Sequence, residues 1–170
     1  GRQNQGVIRI FWGGGEGCAR RPSISQLVSG TTRGSAGEAL ASGQDLDGDG
    51  LVDLAIGAPR LTSGNSGGVV WVVSGARLLA LARTDLVGEL PPAEELAAPR
   101  LETLDRVVRI RDGEPGAWFG SALVMLPGTA SRGPRLLATR PRIAGGGAYV
   151  YALDNSDGTG FVEEPLPVGL

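Results

Sequence analysis

Three stretches of the chain share one hydrophobic pattern. "GVIRIFWGG" (6–14), "GVVWVVSGA" (68–76) and "GAYVYALDN" (147–155) each begin at glycine and run through alternating apolar positions, the period-two signature of a strand. They read as one strand type used three times, the first two offset by 62 residues and the last two by 79. A second strand type is predicted at "AGEALAS" (36–42) and "FGSALVM" (119–125), where Gly37 matches Gly120 and Ala39 matches Ala122. Each unit is then a Gly-Ala-Leu strand, a loop, an apolar strand ending in proline, a turn and the glycine-led strand. The second unit has about 21 extra residues ahead of Gly120, including "ELPPAEELAAPR" (89–100), whose prolines and acids predict an exposed inserted loop with one helical turn.

Composition agrees with short strands and tight turns. Glycine (29) and proline (11) are frequent and aromatics make up only 5% of the 170 residues, enough chain for one domain with a core. The net charge of −2, with both signs interspersed, gives no footprint for nucleic acid. The longest strongly apolar run, "VVWVV" at 69–73, is too short to cross a bilayer as a helix, so no membrane span is expected. The start "GRQNQ", with neither Met nor a signal peptide, is expected of a processed product or an excerpt of a longer chain. All 16 basic residues are arginine, a bias expected of a GC-rich bacterial genome. Cys18 is alone, so no disulfide forms within the chain, and a bond to another segment stays open.

The stretch "DLDGDGLVDLAIGAP" (45–59) carries the chemistry. Asp45, Asp47 and Asp49 offer an oxygen at every second residue, and Gly48 and Gly50 let the backbone curl until those oxygens converge, as a hard cation such as Ca²⁺ requires. An EF-hand would need a glutamate at loop position twelve, which here is Ile56. The loop instead supplies Asp45, Asp47, Asp49, the carbonyl of Leu51 and Asp53, and runs straight into an apolar strand closed by Gly-Ala-Pro. In the second unit, 82 residues on, the four aspartates fall on Pro127, Thr129, Ser131 and Arg135, so one calcium site is expected.

"AGEALASGQDLDGDGLVDLAIGAP" followed by "GGVVWVV" resembles the FG-GAP repeat of integrin alpha-chain β-propellers and of many bacterial surface proteins. The likeness covers about residues 6–155, with "WFG" at 118–120 giving Phe-Gly in the second unit and Ala36-Gly37 replacing it in the first. It implies an all-β fold of four-stranded antiparallel propeller blades, here about two full blades plus flanking strands of an incomplete propeller. It also implies calcium held between strands and a non-catalytic binding or scaffolding role. The organisation expected is the end of a preceding blade at 1–29, a calcium-bearing blade at 30–76, and an insertion and linker with the first strand of the next blade at 77–117. A degenerate second blade without a metal loop follows at 118–155, then a tail or the start of a further blade at 156–170.

Other signals point away from catalysis. With no histidine and one cysteine, Ser-His and Cys-His arrangements are excluded within the chain, and the clustered acids are explained as metal ligands. Trp12, Trp71 and Trp118 lie on or beside predicted strands and are read as packing between blades rather than a sugar platform. Arg132, Arg135, Arg140 and Arg142 are read as a solvated loop rather than an anion site. The expected function is a calcium-binding extracellular propeller segment for adhesion or protein interaction, the alternatives being a lectin-like propeller or a structural subunit of a surface assembly. Its partners would be the remaining blades, from a longer parent chain or neighbouring subunits, and a protein or glycan ligand. Strands at 6–13 and 160–170 are expected to pair with strands outside this segment, because two blades alone would expose apolar flanks and unpaired edges.

Overall fold

The computed structural model describes residues 6–11, 24–28, 34–61, 67–85, 100–111, 114–142, 147–154 and 160–164. Cys18, Trp12, residues 89–99 of the inserted loop and the tail at 165–170 lie outside the described residues. Ten strands and one helix are described: β1 (Val7–Phe11), β2 (Ile24–Val28), β3 (Ala39–Ser42), β4 (Leu54–Ala58), β5 (Val69–Val73), α1 (Gly75–Asp85), β6 (Val107–Arg111), β7 (Leu123–Leu126), β8 (Arg135–Arg140), β9 (Gly147–Asp154) and β10 (Gly160–Glu164). They form two four-stranded antiparallel meanders, β3-β4-β5-β6 and β7-β8-β9-β10, and a two-stranded ribbon of β1 and β2. These are propeller-type blades, and the fold is all-β apart from α1.

The inner strands of the first blade explain its stability. Every residue of β5 is buried, and so are four of the five in β4. Alternation divides β5 between two cores. Val69, Trp71 and Val73 join Ile56 in a cluster with Ile8 and with Leu78 and Leu81 of α1. Val70 and Val72 join Ala55 in a cluster with Phe119, Leu136 and Tyr151 of the second blade. The first blade is thus buried on both faces, between the β1 side and the second blade. Phe119 and Tyr151 meet edge to face at 5.7 Å and 73°.

Glycine sets how closely the units approach. A Cβ on Gly57 would lie 2.2 Å from the carbonyl oxygen of Gly120, and one on Gly68 would lie 2.4 Å from that of Phe119. Only a residue without a side chain fits there. The Phe-Gly and Gly-Ala-Pro elements of the repeat are therefore two halves of one junction. The same contact recurs upstream, where a Cβ on Gly6 would meet the carbonyl oxygen of Ala36 at 2.2 Å. β1 thus stands to the first blade as β5 stands to the second.

Pairing corrects three expectations. Strand 107–111 is the outer strand of the first blade, with Trp71 opposite Arg109, and does not open the next unit. Residues 160–164 pair with β9 as the outer strand of the second blade, and do not begin a further one. β1 pairs along one edge with β2 of the same chain. In each case the glycine-led strand is followed by an antiparallel partner in its own sheet. A local pattern cannot announce this across the 33 residues between β5 and β6. Arg135 and Arg140 are likewise strand residues at the two ends of β8, not members of a solvated loop.

The helix was also unforeseen. Leu78 and Leu81, three apart, bury one face of α1 against the first core. Its start lies against the loop that joins β3 to β4.

Candidate metal centre

The β3–β4 loop folds around its own carboxylates. Asp45 Oδ1 accepts hydrogen bonds from the N–H groups of Gly48 (2.7 Å) and Asp49 (3.1 Å), and its Oδ2 accepts from Gly50 (2.8 Å). Asp47 Oδ1 accepts from Asp49 N–H at 3.1 Å, and Asp49 Oδ1 accepts from Leu51 N–H at 2.8 Å. These side-chain-to-backbone turns favour aspartate over longer acids. Gly48 and Gly50 both have positive φ, +80° and +86°, which is where the curl is made.

Asp53 anchors the loop from below. It is fully buried; its Oδ2 accepts from Leu46 N–H (2.7 Å) and Asp47 N–H (3.3 Å), and its Oδ1 from Gly75 N–H (2.8 Å). Its backbone is tied in as well, N–H to Gln44 O at 2.9 Å and carbonyl to Ser42 Oγ at 2.8 Å. Burial pushes its carboxyl up to about 6, helped by the neighbouring Asp47 charge and opposed by the three N–H donors. Asp49 goes the other way. Desolvation would raise it, but hydrogen bonds from Ser74 Oγ (2.7 Å) and from the Leu51 and Ala76 N–H groups outweigh that and hold it below the usual carboxylate range.

The arrangement suits a hard cation. One oxygen from each of Asp45, Asp47, Asp49 and Asp53 lies within 4.8 Å of the others. Oxygens around a single Ca²⁺ at 2.3–2.6 Å can stand at most about 5 Å apart, so all four can share one ion. No described salt bridge involves these aspartates. A buried carboxylate beside three others is unfavourable without a positive partner, which is what a divalent cation supplies. Leu51 sits within the loop, between Asp49 and Asp53 in the sequence.

Three participants escaped the sequence reading: Ser74 and the N–H groups of Gly75 and Ala76, which donate to Asp49 and Asp53 from the first turn of α1. The available signal was "SGA" directly after the glycine-led strand, a serine in position to begin a helix. The corresponding loop of the second blade contains a tight turn closed by Thr129 N–H to Arg132 O at 2.7 Å.

Comparison with known proteins matches this region. The family model described as FG-GAP repeat matches residues 36–73, from the Ala36-Gly37 junction through the aspartate loop to the end of β5. Human integrin alpha-X is 45% identical over 60 residues, covering 33% of this chain and 5% of that protein. Integrin alpha pat-2 of Caenorhabditis briggsae is 37% identical over 70 residues, covering 39% of this chain and 6% of that protein. This chain therefore spans about a twentieth of the length of these relatives.

Proposed function

We propose that this chain, which carries an FG-GAP repeat like those of integrin alpha chains, is a calcium-stabilised segment of an extracellular β-propeller that serves adhesion or protein interaction and has no catalytic role. The observation that carries this reading is the convergence of four carboxylates, one fully buried, within 4.8 Å of one another inside that repeat. Asp45, Asp47, Asp49, the Leu51 carbonyl and Asp53 would hold the ion. Bound there, Ca²⁺ neutralises charge that otherwise destabilises the loop. The protein's part is to orient the oxygens through backbone N–H groups and to fasten the loop to α1 through Asp49 and Asp53. Extracellular modules bind calcium at about 10⁻⁴ to 10⁻³ M, so such a site is filled where calcium is abundant.

The wider assembly follows from the sheet edges. Among the described residues β1 pairs only with β2, which leaves its other edge open to a further strand. Propellers protect such edges by closing a ring of about four to eight blades. Further blades, from a longer parent chain or neighbouring subunits, would take that place. Among the described residues the lectin alternative gains no support, since Trp71 is fully buried and the Trp118 ring has two arginine guanidiniums over it. The test is thermal unfolding with calcium and with chelator. A rise in melting temperature with calcium, absent from Asp53→Asn, supports the reading; identical curves in both buffers refute it.

A further inference from the structure

Three residues from separate parts of the sequence meet where the two blades adjoin. Arg60 lies in the turn after β4 and Arg142 in the turn after β8, 82 positions later, so they hold the same place in successive units. Trp118 lies in the link ahead of β7. The Arg60 guanidinium carbon stands 5.2 Å from the centre of the Trp118 ring, and that of Arg142 stands 4.3 Å from it. The repeat thus delivers two cations to one indole. Arg60 meets a single carboxylate, Glu38, at 3.5 Å through Nε, which leaves its terminal amino groups. Arg142 has no carboxylate partner among the described residues, and both arginines are exposed.

The backbone is strained at the residue that carries the ring. Trp118 has φ +58°, a region costly for a bulky residue. Its neighbours enforce it: Arg142 N–H donates to Ala117 O (3.2 Å), Ser121 Oγ donates to Trp118 O (2.6 Å) and Phe119 N–H donates to Gly67 O (2.8 Å). Trp71 reaches full burial on a regular strand, so packing alone does not require such a conformation. Trp118 stays half-buried at a strained position, with charge gathered over it.

We propose that Arg60, Arg142 and Trp118 form a docking site for the carboxylate side chains of an acidic protein segment. The proposal deepens the interaction-module reading and rests on it. Stacking on an indole restricts a guanidinium while its edge stays available, and a restrained guanidinium fork binds a carboxylate bidentately with less entropy lost. The recognition feature is charge rather than bare ring, because the indole is already engaged by two guanidiniums. This favours an acidic peptide over a sugar, which would need an uncovered aromatic face.

The experiment uses the full chain and fluorescein-labelled hexaglutamate, with hexaglutamine and a hyaluronate fragment as comparison probes, read by fluorescence anisotropy at low salt. Hexaglutamate is expected to bind, hexaglutamine not to, and Arg142→Gln to weaken binding by about tenfold, the scale of one charge-assisted hydrogen bond. Arg60→Gln should weaken it as well. Arg9→Gln, which removes an exposed charge from β1, should leave affinity within about twofold, since a single distant surface charge is screened. Equal affinity of Arg142→Gln and the parent, equal binding of the two peptides, or binding of hyaluronate without hexaglutamate would each overturn the proposal. Melting temperature with and without calcium is recorded on the same samples. Failure of peptide binding with the calcium shift intact removes the carboxylate site alone, whereas loss of the shift removes the calcium reading.

Discussion

Asp53 and Gly75 lie 22 residues apart and are joined by a 2.8 Å hydrogen bond from the Gly75 N–H to Asp53 Oδ1. The bond ties the floor of the aspartate loop to the first turn of α1. Asp49 makes the companion link, accepting from Ser74 Oγ and from Ala76 N–H at 3.2 Å. Two carboxylates of the cluster thus also satisfy N–H groups that a helix start leaves without intrahelical partners. The loop and the helix start therefore share their hydrogen bonds.

Calcium should raise stability by mass action. At about 10 mM calcium, a site of the expected affinity adds about 1.4 to 2.7 kcal/mol, or several degrees in melting temperature for a chain of this size. Asp49→Ala should abolish that rise, while in chelator it should lose only its hydrogen bonds from Ser74, Ala76 and Leu51. Scanning calorimetry in the two buffers measures both effects, and a calcium shift that survives the substitution would exclude Asp49 as a ligand.

Ser74→Ala should cost about 1.5–3 kcal/mol, the range for a hydrogen bond to a charged group, since it removes the hydroxyl donated to Asp49 Oδ2. The effect should be localised. Hydrogen exchange is expected to quicken at Gly75 and Ala76 and to stay unchanged in β8, while calcium should slow exchange at the same two amides in the parent chain. Uniform quickening across both blades would contradict a local link between Ser74 and Asp49.

Gly57→Ala should destabilise by at least about 2 kcal/mol in calcium and chelator alike, because the new methyl would overlap the Gly120 carbonyl. Gly133→Ala, where nothing lies within 4 Å of the added carbon, should stay within about 0.5 kcal/mol of the parent. Urea unfolding of the two variants side by side provides the comparison.

Phe119→Ala should cost about 3–5 kcal/mol, since it removes a fully buried ring from the core shared by the two blades and strands Tyr151 without its edge-to-face partner. Near-ultraviolet circular dichroism should show Tyr151 losing its fixed environment. Retention of that signal would place the stability of the second blade elsewhere.

The strands and the aspartate loop were legible because each is encoded locally. Period two marks β5 and β9, and alternate aspartates separated by glycine mark the loop whatever surrounds it. Long-range features were not. "VVRIR" at 107–111 shows that a strand exists but not that its partner is β5 rather than a later neighbour, and the same holds for "GFVEE" at 160–164. Helix α1 has its first N–H groups bonded to Asp53 and Asp49 and its Leu78 and Leu81 in the cluster that holds Trp71, relations that no window of neighbouring residues contains. The Trp118 site was hidden for the same reason, since its arginines come from equivalent turns of different blades.

The Gly57–Gly120 approach and the matching bonds Gly37 N–H to Gly57 O (3.0 Å) and Gly120 N–H to Thr139 O (2.9 Å) do not involve the aspartate loop. Stacking is therefore separable from the aspartate loop within one unit. A unit can shed every carboxylate, as residues 127–135 have, and still dock on its neighbour with the same geometry. An array built this way could differ from unit to unit in the cations it holds while the spacing of its blades stays set by the junction glycines and the core between them.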